Sequence, residues 1–419
     1  MQFDNVFWRF IVCGLLNTFA IANNILYMAD HDFESITEEL RKQLDSSRQN
    51  WLFGAGISCK SNIPLMYPLT ARVKSIIDTS KIDKDIEIYT LLTAELQDKS
   101  HIEHYLSHIG DLIALSDRSK TNSATISAKS FTKDELLNLH KSIISAIGET
   151  IRYGYSNEGI EIIGNFSNPI VEIEHHIKFV QAIYSNRSNL LSRSKLTFFS
   201  TNYDTLLEDA LGLEKFTVVD GFSGGAIAYW NPQFEFQDAH SLPNKCLLYK
   251  LHGSIDWHRD EKKGLVRTRY GTKYLANKSE IMIYPQATKY VETQKDPFSY
   301  LFNGFRNALN SNEDNVLITC GYSFGDDHIN AEIEAALSSR NNRTTIIAFA
   351  QESPSGAIVI NRTLDAWLTN KQFGSRVYVA GQKGIYYNST DPLQSTDKKD
   401  LFWWTFSGLT NFILTGDHE

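Results

Sequence analysis

Residues 51–78 read WLFGAGISCKSNIPLMYPLTARVKSIID. Three apolar residues, Trp51–Phe53, run into Gly54-Ala55-Gly56-Ile57-Ser58, and helical periodicity follows over 68–78. An apolar run stopped by glycines and followed by a helix is the pattern of a buried strand entering a βα turn. Glycines let the chain turn sharply and let backbone amides approach a diphosphate. Gly54, Ala55, Gly56 and Ser58 are therefore candidates for nucleotide contact. The third glycine of the usual dinucleotide fingerprint is missing. On this stretch alone, a tight turn that binds nothing stays open as the alternative.

The same pattern recurs along the chain. KLTFFSTNYDTLLEDAL (195–211) reads as strand, polar turn and a helix starting near Asp204. NVLITCGYSFGDDHINAEIEAAL (315–337) repeats it, and TTIIAFA (344–350) is another apolar strand. FSYLFNGFRNAL (298–309) reads as a helix; KFTVVDGF, CLLYKLHGSIDW and GLVRTRY are β-rich, with a turn at Gly224-Gly225. Short apolar strands alternating with helices predict an α/β fold built on a Rossmann-like parallel sheet. Between about residues 81 and 189, IEHYLSHIGDLIAL and KDELLNLHKSIISAIGETIRYGY space their apolar positions at three and four residues. A large all-helical insertion is expected there, with Ser119–Ser130 as an exposed loop. The nucleotide-binding domain spans 28–350. From 351 to 419 a small C-terminal α+β extension is expected. It holds a helix in INRTLDAWLTN, a strand pair around VYVAG and GIYYN, and an apolar end, LFWWTFSGLTNFIL, docked as a helix on the body or on another subunit.

The chain has 419 residues, 42% hydrophobic and 21% charged, with a net charge of −8. These are globular values for two or three structural units. The negative balance argues against a large phosphate-binding surface, and no direct nucleic-acid binding is expected. Cys13, Cys59, Cys246 and Cys320 include no CxxC pair, which excludes a zinc ribbon and disfavours a disulfide framework. Scattered thiols suit a reducing cytoplasm, the expected location. FWRFIVCGLLNTFAIANNILYM (7–28) is almost free of charge. Residues 1–27 are read as an accessory hydrophobic helix or an overlong start before Met28. A signal peptide and a membrane anchor are the lesser alternatives, because Asp4 offsets Arg9 and Asn17, Asn23 and Asn24 interrupt the run. No stable membrane insertion is expected.

In open parallel sheets, ligands bind outside the carboxyl ends of strands. Polar turns at strand ends are thus expected to share one crevice. Besides the first turn there are Ser200-Thr201-Asn202-Tyr203-Asp204, Leu251-His252-Gly253, and Gly321-Tyr322-Ser323-Phe324-Gly325-Asp326-Asp327-His328. Helix capping accounts for Asn202 or Asp204, but not for both, nor for Thr201. His252 closes an apolar strand, and imidazole titrates near neutrality, which favours a general base. Ser323 suits a ribose or phosphate hydrogen bond. Asp326 and Asp327 read as helix caps, in preference to a metal site with His328. His101, His104 and His108, and His175-His176 beside Glu174, read as polar helix surface or as part of the insertion's contact with the site.

Taken together and in this order, these motifs resemble the sirtuin (SIR2) superfamily. GAGIS followed by Ile63-Pro64 is similar to the family's GAGIS-x4-IP, and STNYD stands in the place of its TQN-x-D. Leu251-His252-Gly253 resembles its His-Gly, and Gly321-Tyr322-Ser323 its Gly-Thr-Ser turn. The resemblance covers roughly 48–350. It implies NAD as substrate, with the diphosphate cradled by Gly54, Ala55, Gly56 and Ser58 and the adenosine side met by Ser323. Pro64, Thr201, Gly253 and Gly321 complete the implied binding set. Asn202 would hold the nicotinamide ribose and a water, His252 would be the base, and Asp204 would orient the amide region or stabilise positive charge. No metal is implied. Two departures matter: the four-cysteine zinc module of the protein deacylases has no counterpart, and Leu65-Met66-Tyr67 replaces their Asp-Phe-Arg. The pattern looks like the SIR2-like NADases of bacterial anti-phage defence, most of all the subunit that partners a HerA-type hexameric ATPase. The expected function is hydrolysis of NAD to ADP-ribose and nicotinamide as an abortive-infection effector, in a homo-oligomer with a HerA-like partner. The alternatives are a non-catalytic NAD or ADP-ribose sensor and a sirtuin-type deacylase or ADP-ribosyltransferase.

Overall fold

The computed structural model describes residues 32–45, 48–157, 159–185, 196–233, 245–260, 262–269, 280–283, 296–353 and 360–418. The expectations for residues 1–27, Cys13 included, lie outside the described residues. Among the described residues, no helix is long and apolar enough to cross a membrane.

The centre is a sheet of eight described strands. In chain order these are β1 (Gln49–Phe53), β2 (Leu196–Ser200), β3 (Thr217–Val219) and β4 (Lys245–Lys250). They continue with β5 (Asn315–Cys320), β6 (Thr344–Phe349), β7 (Val377–Ala380) and β8 (Ile385–Tyr387). The spatial order is β8-β7-β6-β5-β1-β2-β4-β3. Neighbours are parallel except β7 and β8. The α/β class and the parallel sheet expected from the sequence are both present. The register sets Phe53 beside Ser200 on one side and Cys320 on the other. Chain order reverses across the β5–β1 pair, which is where such sheets open a ligand crevice.

Both faces of the sheet are covered, which is why Trp51, Leu52 and Phe53 form a continuous apolar run. Trp51, Phe53 and Phe198 pack against α1 (Phe33–Leu44), α6 (Glu174–Ser185), α7 (Leu206–Leu213) and α11 (Phe406–Thr415). Leu52, Phe199 and Leu317 face α8 (Phe298–Leu309), α9 (Asp327–Ser338) and α10 (Arg362–Leu368). The C-terminal extension adds β7 and β8 to the same sheet, and α11 docks on α6.

The insertion holds α2 (Met66–Thr79), α3 (Asp83–Glu95), α4 (Ile102–Arg118) and α5 (Lys133–Tyr153) around its own apolar cluster. It is not purely helical. A hairpin, Ser123–Ile126 with Lys129–Thr132, replaces most of the expected loop, and Tyr155–Ser156 pairs with Ile162–Ile163. The first hairpin turns on Ser127 and Ala128, both at positive φ, and is anchored by buried Ile126 and Phe131. Neither turn residue is the glycine or asparagine that usually announces such a turn. A second, antiparallel sheet holds Phe222–Gly224, Ile227–Trp230, Gly253–Asp260, Gly264–Thr268 and Glu280–Ile283, and its third strand in chain order begins directly after His252.

Candidate nucleotide site

The turns after β1 and β5 interlock. Gly54 N–H donates to the Cys320 carbonyl at 3.2 Å and Gly56 N–H to the Gly321 carbonyl at 3.0 Å. A Cβ on Gly54 would lie 2.5 Å from the Gly321 oxygen, and one on Gly56 2.7 Å from the Gly321 Cα. Gly321 has φ +63°, and its Cβ would meet Ile57 N at 2.5 Å. The glycines expected to make room for a diphosphate therefore first make room for one another. The chain continues as a 3-10 helix, Ala55–Ser61, in which Ala55 is exposed and Ser58 and Ser61 are buried. Pro64, half-buried, links this turn to α2, while Leu65 and Tyr67 at the start of α2 are exposed.

Ser58 instead joins the turn after β2. Thr201 ties that turn to β1, its N–H and Oγ1 both donating to the Phe53 carbonyl at 3.0 and 3.3 Å. Asn202 Nδ2 donates to Ser58 Oγ at 3.2 Å, and Ser58 Oγ donates to Asp204 Oδ2 at 2.9 Å. Asp204 Oδ1 accepts the Leu206 N–H at 3.0 Å. Asp204 is thus the residue that satisfies the start of α7, and its second oxygen fixes Ser58. All three side chains are buried, and Asn202 Oδ1 has no hydrogen-bond partner among the described residues.

Beneath this relay sits a charge that sequence reasoning missed. Lys250, the last residue of β4, is 2% exposed; its ammonium donates to the Asp204 carbonyl and to Glu208 Oε1, the latter at 3.0 Å. Burial pushes the Glu208 carboxyl up to about 7, against the opposing charges of Lys250 and Arg269. Arg269 also reaches Asp209 and, at 2.9 Å, Asp256. The signal available in the sequence was a lysine inside the otherwise apolar CLLYKL.

His252 follows two residues later, its side chain 4% exposed. Its Nε2 lies 2.9 Å from Asp326 Oδ2. Asp326, 1% exposed, also caps α9: its Oδ1 accepts the N–H groups of His328 at 3.0 Å and Ile329 at 3.3 Å. Capping was the expected role, and the bond to His252 is additional. Asp327 is exposed in the first turn of α9, and among the described residues no group of histidine, cysteine or acidic side chains could hold a metal. Gly253, at φ +83°, starts a strand of the second sheet, where a Cβ would lie 2.2 Å from the Met282 carbonyl. Ser323 is exposed; its hydroxyl accepts the Gly325 N–H at 3.3 Å, and its carbonyl accepts Asn361 Nδ2 at 3.0 Å.

The insertion reaches the same turns. Tyr203 OH donates to Glu103 Oε1 on α4 at 2.9 Å. His101 and His104, at the start of α4, lie with ring centroids 3.9 Å apart, and His108 meets Glu95 at 3.3 Å. His176 corrects the polar-surface reading, because α6 is covered by α11 and the His176 side chain is fully buried. Its Nδ1 is 3.5 Å from Ser61 Oγ, its ring lies 5.0 Å from that of Phe406, and its Nε2 has no partner among the described residues. Burial holds it down to about 4, although the Asp204 charge opposes this.

Among known proteins, residues 196–372 match the family model described as SIR2-like domain. None of the curated proteins matches the chain. Of the solved structures, a Sir2 homologue–NAD complex is 13% identical, with 76% of this chain and 84% of that chain covered and a TM-score of 0.35. A serine-to-alanine mutant of a Sir2 homologue with ADP-ribose is 13% identical, with 76% and 86% covered and a TM-score of 0.33. The matched segment begins at β2 and extends past α10, so the turns bearing Asn202, Asp204, His252 and Asp326 lie in the segment that matches this model.

Proposed function

We propose that the chain binds NAD at the carboxyl ends of β1, β2, β4 and β5 and hydrolyses its nicotinamide–ribose bond. The observation that carries this reading is the Asn202 amide. Its nitrogen is spent on Ser58, its oxygen is buried without a partner among the described residues, and both lie beside a carboxylate at the end of a parallel strand. An orphaned buried acceptor is costly unless a ligand or water satisfies it. A ribose hydroxyl or the attacking water supplies such a donor.

The nicotinamide leaves as a neutral molecule as the C1′–N bond breaks and a water oxygen bonds to C1′. Its proton passes to His252. Positive charge builds on the ribose in the transition state, and the fixed Asp204 carboxylate stabilises it without reorganisation. The products are nicotinamide and ADP-ribose. The wider reading, an abortive-infection effector acting as a homo-oligomer with a HerA-like ATPase, extends the sequence resemblance.

The test is NAD consumption by the purified full chain, with products identified by chromatography, with and without the neighbouring gene's product. Asn202→Ala and His252→Ala are expected to abolish turnover while leaving the thermal midpoint near that of the parent. Full activity in His252→Ala overturns the mechanism. Nicotinamide release only with an acyl-lysine peptide identifies a deacylase, and tight NAD binding without turnover identifies a sensor.

A further inference from the structure

We infer that Asp326 is the positioning partner of His252, holding the imidazole by Nε2 so that Nδ1 is the nitrogen offered for proton transfer. This rests on the proposed role of His252 as base and specifies how that base is oriented.

The pair joins side chains 74 residues apart, both almost fully buried, at 2.9 Å. Asp326 cannot swing away, because its other oxygen accepts two amides of the first turn of α9. The turn that carries it is itself braced. Tyr322 OH donates to Asn330 Oδ1 at 3.0 Å and lies 3.4 Å from the Asp326 carbonyl. Asn330 Nδ2 donates to the carbonyl of Phe324, which stands at φ +56°. A carboxylate at a helix N-terminus is favoured as the anion. An anionic carboxylate only accepts, so the shared hydrogen sits on Nε2. A neutral imidazole then has one lone pair left, on Nδ1. As the new C1′–O bond forms and the C1′–N bond breaks, Nδ1 takes the proton, and Asp326 stays ionised and stabilises the imidazolium. Helix capping alone requires only Oδ1 and leaves the bond from Oδ2 to a buried histidine unexplained.

Asp326→Asn separates the two roles. Asparagine caps a helix as well as aspartate does. Its amide, however, can donate to Nε2, which moves the ring proton to Nδ1 and blocks the base. With the full chain and NAD, kcat is expected to fall by about 10²–10⁴-fold, the loss typical of a reversed tautomer. KM is expected to stay within about threefold, since ground-state binding is untouched. A kcat within about twofold of the parent in a folded Asp326→Asn protein overturns the inference. ¹⁵N NMR of the imidazole reads the same point without turnover: the parent should carry Nε2–H at His252, and Asp326→Asn should carry Nδ1–H. Nδ1–H in the parent overturns the inference even if the variant fails to fold. If the parent consumes no NAD either with or without the neighbouring gene's product, the hydrolysis reading fails, and the NMR result alone decides the His252–Asp326 pairing.

Discussion

Ser58 Oγ donates to Asp204 Oδ2 at 2.9 Å across 146 residues of sequence, and the same oxygen accepts from Asn202 at 3.2 Å. One hydroxyl therefore fixes both the amide and the carboxylate of the site. Ser58→Ala is expected to lower kcat about 10–100-fold, as loss of one positioning contact does. The stability cost should be about 1–2 kcal/mol, that of one buried hydrogen bond. NAD turnover and urea unfolding read the two effects; an unchanged kcat removes the relay from the mechanism.

The interlocked turns predict a contrast between glycines. Gly321→Ala forces a side chain at φ +63° against Ile57 N, and a loss above about 2 kcal/mol or an insoluble product is expected. Gly212→Ala, on exposed helix surface with nothing among the described residues within 4 Å of the added Cβ, should stabilise by about 0.5–1 kcal/mol. Equal midpoints for the two variants contradict the turn packing.

Lys250 and Glu208 form a buried ion pair. Lys250→Met strands the Glu208 carboxyl and the Asp204 carbonyl, and about 3–5 kcal/mol should be lost. Adding Glu208→Leu should restore most of that, since an apolar pair of similar volume replaces an ion pair at little cost. A double-mutant cycle by urea unfolding tests this, and strict additivity denies the coupling.

Acid should weaken the fold through its buried histidines. His176 and His258 are both held down to about 4 by burial, against an ordinary 6.5. Their folded values are depressed, so their contribution is complete above pH 6.5 and is lost as pH falls towards 4, on the order of 3 kcal/mol each. Glu208 has the opposite sign. Its raised value of about 7 gives stability that is full below pH 4.5 and lost as pH rises through 7. Thermal midpoints at pH 7.0 and 5.0 should fall less in His176→Gln than in the parent; an equal fall assigns the acid sensitivity elsewhere.

The strands, their turns and the helices that follow were legible because each is written locally. Leu196–Ser200, Phe298–Leu309 and Asn315–Cys320 lie where apolar runs and helical spacing put them. Asn202 and His252 come to one sheet edge because parallel strands end together. The pairs Lys250–Glu208, Tyr203–Glu103 and His252–Asp326 were not legible, since each depends on which distant helix covers which strand. His176 was misread for the same reason: nothing near it announces that α11 will cover it. The two glycines after β1 were read for a ligand, when packing against Gly321 already requires them.

The place of β1 has a consequence for how the molecule is made. It is the earliest of the described strands of the sheet to leave the ribosome, yet it lies between strands built from residues 196–200 and 315–320. A nascent chain must carry Trp51-Leu52-Phe53 without sheet partners until those residues have been synthesised, which exposes an apolar segment to chaperones or to misassembly. The same delay means that no chain stopped before residue 326 holds Ser58, Asn202, His252 and Asp326 together, so translation itself keeps the crevice from forming early.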